Sequence, residues 1–316
     1  IAETCEYRRH FLDFNPSAIV ITSIEPDHQD YYPGYQDILT AFIEYGMKLP
    51  NGGTLIYCAD DSGASEAAGA ISEKRSDIKL VAYGESADGP YRITGYRHEQ
   101  ERNIFTLRDS DRAWELRIPG KHIVLDAVAA LSVVAMLREE ERGEVSGEDW
   151  KCLQEGLASF RGSKRRSEII GEADGILFMD DYAHHPTAIH RTLEGLRDFY
   201  PERRLVVDFM SHTYSRTEAL IDQFAHAFGS ADIVILHKIY PSAREKVGAV
   251  SGRDLYERMM LVKDDVHYFE EVMDSLDFLT ETLKAGDLFI TLGAGDNWRL
   301  GPVLYERISG RERSRV

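Results

Sequence analysis

Carboxylate, imidazole and guanidinium side chains concentrate at five places in this sequence. Glu3 and Glu6 bracket a short run at the start, and Glu25-Pro26-Asp27-His28-Gln29-Asp30 joins three carboxylates to one imidazole. Asp181-Tyr182-Ala183-His184-His185-Pro186-Thr187 and Ser211-His212-Thr213-Tyr214-Ser215-Arg216-Thr217 bring histidines and an arginine, and Gly293-Ala294-Gly295-Asp296-Asn297 is a glycine turn. Carboxylates with one histidine suit a divalent cation. Histidines, an arginine and a turn rich in backbone N–H groups suit anions. Together they are what phosphate chemistry requires: metal to neutralise charge, and basic groups to hold the acceptor and substrate.

Each cluster also has a plainer reading. Residues 25–30 read equally as a solvated acidic loop, and His184-His185-Pro186 as a turn with proline at the first helical position. Ser215 and Thr217 read as caps for a helix over 217–228, Gly293-Ala294-Gly295 as a tight packing turn, and Glu3 and Glu6 as helix-entry charges.

The elements that must position these residues follow from hydrophobic period. Short β-branched runs at 17–24 and 54–59 predict buried parallel strands, with a helix over 37–46 between them. Alternation from Tyr91 to Pro119 predicts an antiparallel, half-exposed sheet, followed by helices from Ile123 to Arg138 and from Ser146 to near Phe160. The polar, basic stretch 161–166 (RGSKRR) predicts a domain boundary. Beyond it, strands at 176–180, 204–209, 233–238 and 287–292 alternate with helices whose apolar residues recur at helical spacing, with Gly286 as a helix stop. This alternation predicts a parallel sheet with helices on both faces and ligands at the carboxyl ends of the strands, where four of the five clusters fall.

Composition narrows the function class. The 316 residues exceed one ordinary core, so two domains are expected. A formal charge of -17 opposes nucleic acid and anionic membrane as partners. Cys5, Cys58 and Cys152 are dispersed and form no disulfide or zinc framework. No basic-then-apolar leader stands at the start, which predicts a cytoplasmic protein. The chain opens on Ile1 with a motif almost at once, so it is expected to be a piece of something longer.

Eight short segments, in order, resemble the Mur ligases of peptidoglycan synthesis: AETCE (2–6), SIEPDHQDYY (23–32), CADD (58–61), GKHIVLDAVAA (120–130), KRRSEIIGE (164–172), DDYAHHPT (180–187), SHTYSRT (211–217) and LGAGDNW (292–298). The resemblance implies an α/β chain with two domains. A central ATPase-type domain, with a mostly parallel sheet plus a small antiparallel sheet, would span 1–160, and a Rossmann-like C-terminal domain 161–316. It implies an ATP-dependent amide ligase using ATP and Mg2+, with UDP-N-acetylmuramate and a small amino acid as substrates. In such enzymes ATP phosphorylates the muramoyl carboxylate and an amino group then displaces phosphate. By motif position, Glu3 and His28 would serve magnesium; Arg166, Asp181, Asp126, Gly293 and Gly295 the nucleotide; His184, His185 and Arg166 the acyl centre; and His212, Arg216 and Tyr182 the substrate carboxylate.

This sequence also departs from the family pattern. A glycine-rich loop ending in Gly-Lys-Thr is absent, so the chain alone is expected to be inactive. Ile123 and Asp126 stand where the adenine contacts usually carry asparagine, and Thr213 where a second arginine is usual. Ala188 replaces a common glutamate, and Ser242-Ala243-Arg244-Glu245 an Ala-Gly-Glu turn. The lysine that sister ligases carbamylate has no counterpart beyond Lys48, which fits the alanine-adding branch. Alternatives are the recycling ligase that attaches a whole tripeptide, suggested by AHHPTAI at 183–189, and a catalytically dead ligase-like binding module. A nicotinamide oxidoreductase ranks lower, because Gly293-x-Gly295 lacks the rest of its fingerprint.

Overall fold

A computed structural model describes residues 1–28, 31–99, 101–108, 110–241 and 247–310. Gln29, Asp30 and the 242–245 turn lie outside the described residues. The chain forms two compact units: 1–117 with 121–160, and 118–120 with residues from Arg161 onward.

In the first unit, β1 (Ala18–Ile21), β2 (Thr54–Cys58) and β3 (Lys79–Tyr83) form a parallel sheet in that order. The helices α1 (Tyr35–Gly46) and α2 (Ser62–Ser72) make the crossovers. Ile19, Ile21 and Leu55 pack against Ile38, Leu39, Ala64, Ala67 and Ile71. The two helices approach so closely that a Cβ on Gly46 would lie 2.2 Å from the end of Ile71. Neither α2 nor β3 is expected from apolar period. The helix is built from Gly, Ala and Ser with Glu66 and with Ile71 as its one large apolar residue, and β3 exposes Lys79 and Leu80. An antiparallel sheet of β4 (Ile93–His98), β5 (Asn103–Leu107) and β6 (Ala113–Leu116) follows, as the alternation predicted. The unit continues into α3 (Lys121–Arg142) and α4 (Gly147–Ser159), the latter capped by Ser146 with Asp149.

The second unit holds β7 (Glu168–Ala173), β8 (Ile176–Asp181), β9 (Arg204–Phe209), β10 (Ile233–Leu236), β11 (Val266–Tyr268) and β12 (Asp287–Leu292). Their order in the sheet is β11-β10-β9-β12-β8-β7, parallel except for β7. Its helices are α5 (Pro186–Phe199), α6 (Tyr214–Ala219), α7 (Ile221–His226), α8 (Gly252–Met259), α9 (Leu276–Thr282) and α10 (Leu300–Ile308). Every residue of β8 and β12 is buried. Leu177, Met179, Leu288 and Ile290 enter one core, while Ile176, Phe178 and Phe289 enter the other. Strands covered on both faces read as unbroken apolar runs, which is why they were legible. The expected helix over 217–228 is instead two short helices, because Leu220 leaves helical geometry at φ -119°, ψ 18°. The strand expected to reach Lys238 stops at Leu236, and the next residue, His237, is buried.

Candidate active-site residues

In the first unit, His28 takes a left-handed backbone at φ 55° just past the carboxyl end of β1. Its carbonyl accepts the N–H groups of Tyr31 and Tyr32, both at 2.8 Å. Its Nε2 lies 2.9 Å from Glu6 Oε1 and 3.9 Å from Asp27, and the Tyr7 ring stands 4.8 Å away. The tyrosine hydroxyl of Tyr32 donates to the Glu6 carbonyl at 2.6 Å, which fixes the entering segment. The carboxylate brought to His28 is therefore Glu6; Glu3, set beside His28 by motif position, is exposed three residues earlier. The His28 hydrogen bond holds the Glu6 carboxyl below its usual range, against an opposing effect of burial. Among the described residues no three His, Cys, Asp or Glu side chains converge as a metal cage. Magnesium asks for fewer, since it keeps water and phosphate ligands. Asp126 is exposed on α3.

The CADD segment is a joint that its spacing did not reveal. Asp60 accepts the N–H groups of Glu85 and Ser86 at 2.8 and 2.7 Å. Asp61 caps α2 through Ala64 and also holds the Ile24 N–H at 3.1 Å.

In the second unit, residues from the ends of β8, β9 and β12 meet. Arg165, in a left-handed turn at φ 58°, donates to Asp180 at 2.8 Å and to the Gly293 carbonyl at 2.7 Å. The guanidinium carbon of Arg166 lies 5.7 Å from the Tyr182 ring centre, and this residue is exposed. Asp181 is 5% exposed, and its two oxygens accept the Ser167 and Ala183 N–H groups, each at 2.7 Å. Burial pushes its carboxyl up, countered by those N–H groups and by Arg166.

Beside this anchor stands an imidazole and aromatic cluster. His184 Nδ1 meets the Tyr182 carbonyl at 2.8 Å, and its ring lies 5.0 Å from that of Tyr182 and 6.2 Å from that of His212. Tyr240, which the sequence did not single out, stacks on His212 at 6.1 Å. Arg216 is 7% exposed, with Nη1 3.5 Å from His212 Nδ1. His185 occupies the N-cap of α5, with Pro186 first in the helix. The cap of α6 is Thr213, not Ser215 or Thr217: its hydroxyl accepts the Arg216 N–H at 3.4 Å, and Thr217 instead bonds Ser211 at 2.5 Å. A Cβ on Gly293 would sit 2.5 Å from the Met210 carbonyl, and φ there is 129°, so backbone packing and conformation both call for glycine; one on Gly295 would sit 2.7 Å from the Met210 sulfur, and that side chain would have to shift. The cluster of His184, His212, Tyr182 and Arg216 is basic and walled by rings, a setting suited to gripping a carboxylate.

A parallel three-stranded sheet joined to a small antiparallel one, and a mixed six-stranded sheet with basic residues at its carboxyl edge, define the class of this protein. Residues 3–134 match the Mur ligase middle domain and residues 165–295 the Mur ligase, glutamate ligase domain: the chain belongs to the Mur ligase family. It is 52% identical over 306 residues to UDP-N-acetylmuramate--L-alanine ligase of Treponema pallidum (strain Nichols), which covers 96% of this chain and 64% of that protein. The chain thus spans just under two thirds of that relative's length. Its fold is similar to that of the crystal structure of UDP-N-acetylmuramate-alanine ligase from Thermotoga maritima, with a TM-score of 0.71 at 20% identity over 96% of this chain and 62% of the other. A second similar fold is the MurF ligase of Thermotoga maritima in complex with ADP, with a TM-score of 0.69 at 14% identity over 96% of this chain and 65% of the other.

Proposed function

We propose that this chain is the nucleotide- and acceptor-handling part of an ATP-dependent ligase that joins L-alanine to UDP-N-acetylmuramate. The observation that carries this reading is the 52% identity to an alanine-adding ligase, which runs through both units rather than through one motif. In the reaction, a muramoyl carboxylate oxygen attacks the terminal phosphorus of ATP and ADP leaves. The amine of alanine then attacks the acyl carbon, phosphate leaves, and the amine loses a proton.

The residues fall into roles that their surroundings support. Arg216 would grip a carboxylate, and His212, Tyr182 and His184 would wall that pocket. His184 would take the proton from the amine, and His185, the N-cap residue of α5, would lie beside it. Arg166 would reach phosphate, whereas Asp181 acts beneath it by tying the loop at Ala183 to the segment at Ser167. Gly293 and Gly295 would serve the site by letting the turn pack on Met210. Magnesium accompanying ATP would neutralise phosphate charge. Glu6 offers the oxygen ligand it favours and His28 orients that carboxylate, so the residues fit the ion; Glu3 and Asp126 lie exposed on the same unit.

The test is ADP release by the full-length protein, with each substrate omitted in turn. Turnover that needs both UDP-N-acetylmuramate and L-alanine is expected. Turnover with a tripeptide and not with L-alanine would assign the recycling branch instead, and nucleotide-sugar binding without ADP release would mark a dead module.

A further inference from the structure

Three polar side chains are buried inside the second unit, at the strand ends that lead to the segment of His212 and Arg216. Asp208 and Asn297 are 0% exposed and His237 is 2%. They come from three separate strand ends: Asp208 from β9, His237 directly after β10, and Asn297 after the glycine turn that follows β12. His237 Nε2 lies 2.6 Å from Asp208 Oδ2, and its Nδ1 lies 3.0 Å from the Phe269 carbonyl oxygen. Asn297 Nδ2 donates to Asp208 Oδ1 at 2.8 Å and to the Leu292 carbonyl at 3.0 Å.

Both ring nitrogens of His237 face oxygen. One proton therefore points from Nδ1 to Phe269, and a second lies along the 2.6 Å contact with Asp208. The pair is neutral overall wherever that second proton sits, the form in which two ionisable groups tolerate complete burial. Burial pulls the imidazole's proton affinity down, but the Asp208 charge and hydrogen bonds outweigh it and leave it raised. Replacing a buried ion pair by apolar side chains of similar volume is often neutral or stabilising, so stability alone does not account for the network.

That geometry leads directly to the carboxylate-gripping cluster. Beyond Asp208 the chain runs through Met210 and Ser211 to His212, and beyond His237 it runs to Tyr240. The two re-pair there: Tyr240 N–H donates to the Ser211 carbonyl at 2.8 Å and Thr213 N–H to the Tyr240 carbonyl at 3.0 Å. Thr213 is held at φ 69°, unusual for a β-branched residue. Such a conformation persists only where its surroundings over-determine it.

We propose that Asp208, His237 and Asn297 are positioning residues whose buried network fixes the ends of β9, β10 and β12 in register and thereby sets His212 and Arg216 for a carboxylate ligand. The amino-acid substrate as that ligand rests on the ligase reading; the control of His212 by the network does not. Two variants test it: Asp208→Leu/His237→Met, which exchanges the pair for apolar side chains, and Asn297→Leu, which keeps the pair and serves where the first does not fold. In this 316-residue chain the ring carbon–proton NMR signal of His212, assigned with His212→Gln, is expected to shift or broaden in each folded variant, while those of His190 and His226 stay in place. In the full-length enzyme the KM for L-alanine is expected to rise at least tenfold with the KM for ATP within twofold. An unmoved His212 signal in either folded variant overturns the proposal. Absence of turnover with L-alanine in the wild type would strike the ligase reading alone, because the His212 signal still decides this one.

Discussion

Arg216 Nη1 lies 3.5 Å from His212 Nδ1 across the strained turn at Thr213. A guanidinium has only donors, so a proton on Nδ1 would face another N–H; neutral His212 therefore carries its proton on Nε2. The arrangement leaves Arg216 as the permanent charge in the pocket, with the His212 ring beside it. In the full-length enzyme Arg216→Ala is expected to raise the KM of the carboxylate-bearing substrate it holds tenfold or more, since a hydrogen bond to a charged group is worth about 1.5–3 kcal/mol. Arg216→Lys should recover little, because an ammonium lacks the planar fork. Unchanged steady-state kinetics in Arg216→Ala would remove the role.

Asp181 acts through the backbone. With each oxygen accepting an N–H at 2.7 Å, Asp181→Asn turns an NH2 group toward one of those donors. The expected loss is about 1–3 kcal/mol, read as a melting temperature lower by roughly 2–4 °C per kcal/mol. The KM for ATP should change less than threefold in the full-length enzyme. A variant that melts with the wild type but binds ATP tenfold more weakly would make Asp181 a nucleotide contact instead.

Strands covered on both faces could be read directly from the sequence, and so could the loops after them, because a short continuous apolar run such as 176–179, bounded by turn residues, fits a doubly covered strand better than an amphipathic helix or a half-exposed one. Elements without that signature were not legible. The edge strand β7 is partly polar, β11 has three residues, and the periodicity of Leu220, Ile221, Phe224 and Phe228 continues across a break that only the Leu220 backbone shows. Within the site, motif position paired Glu3 with His28, whereas the structure sets Glu6 against that ring, and it could not show that of two adjacent arginines Arg165 is the one tied inward. Asp208 and Asn297 are 89 residues apart, and their meeting follows from β9 and β12 being neighbours in the sheet, a strand order that no local pattern encodes.

The Glu6–His28 contact gives the first unit an acid-sensitive tie. The folded carboxyl is depressed below its usual value of 4.5, so its contribution is fully present above that value and disappears as pH falls through the lower folded pKa. Urea midpoints of the wild type and Glu6→Gln should differ at pH 6 and converge toward pH 3. A gap that stays constant or widens on acidification would show that the carboxylate form of Glu6 contributes nothing.

Backbone amides of a phosphate-binding loop normally supply much of the grip on a nucleotide, because several N–H groups point at the same phosphates from a helix start. This sequence contains no Gly-Lys-Thr loop; its one Gly-Lys pair, Gly120-Lys121, runs into His122 instead. On the proposed reading, what remains are groups that would act on phosphate one at a time: Arg166 in the second unit, and the acidic Glu6–His28 pair, which would need magnesium to attract phosphate at all. An isolated guanidinium contact at an exposed position is screened by salt. Titration calorimetry of this 316-residue chain with ATP and magnesium is therefore expected to show a Kd in the millimolar range or no measurable heat, and the full-length protein an affinity at least a hundredfold tighter. Micromolar, magnesium-dependent binding by this chain alone would mean that its own residues form a complete phosphate site, and the roles given to Arg166 and Glu6 would have to be enlarged accordingly.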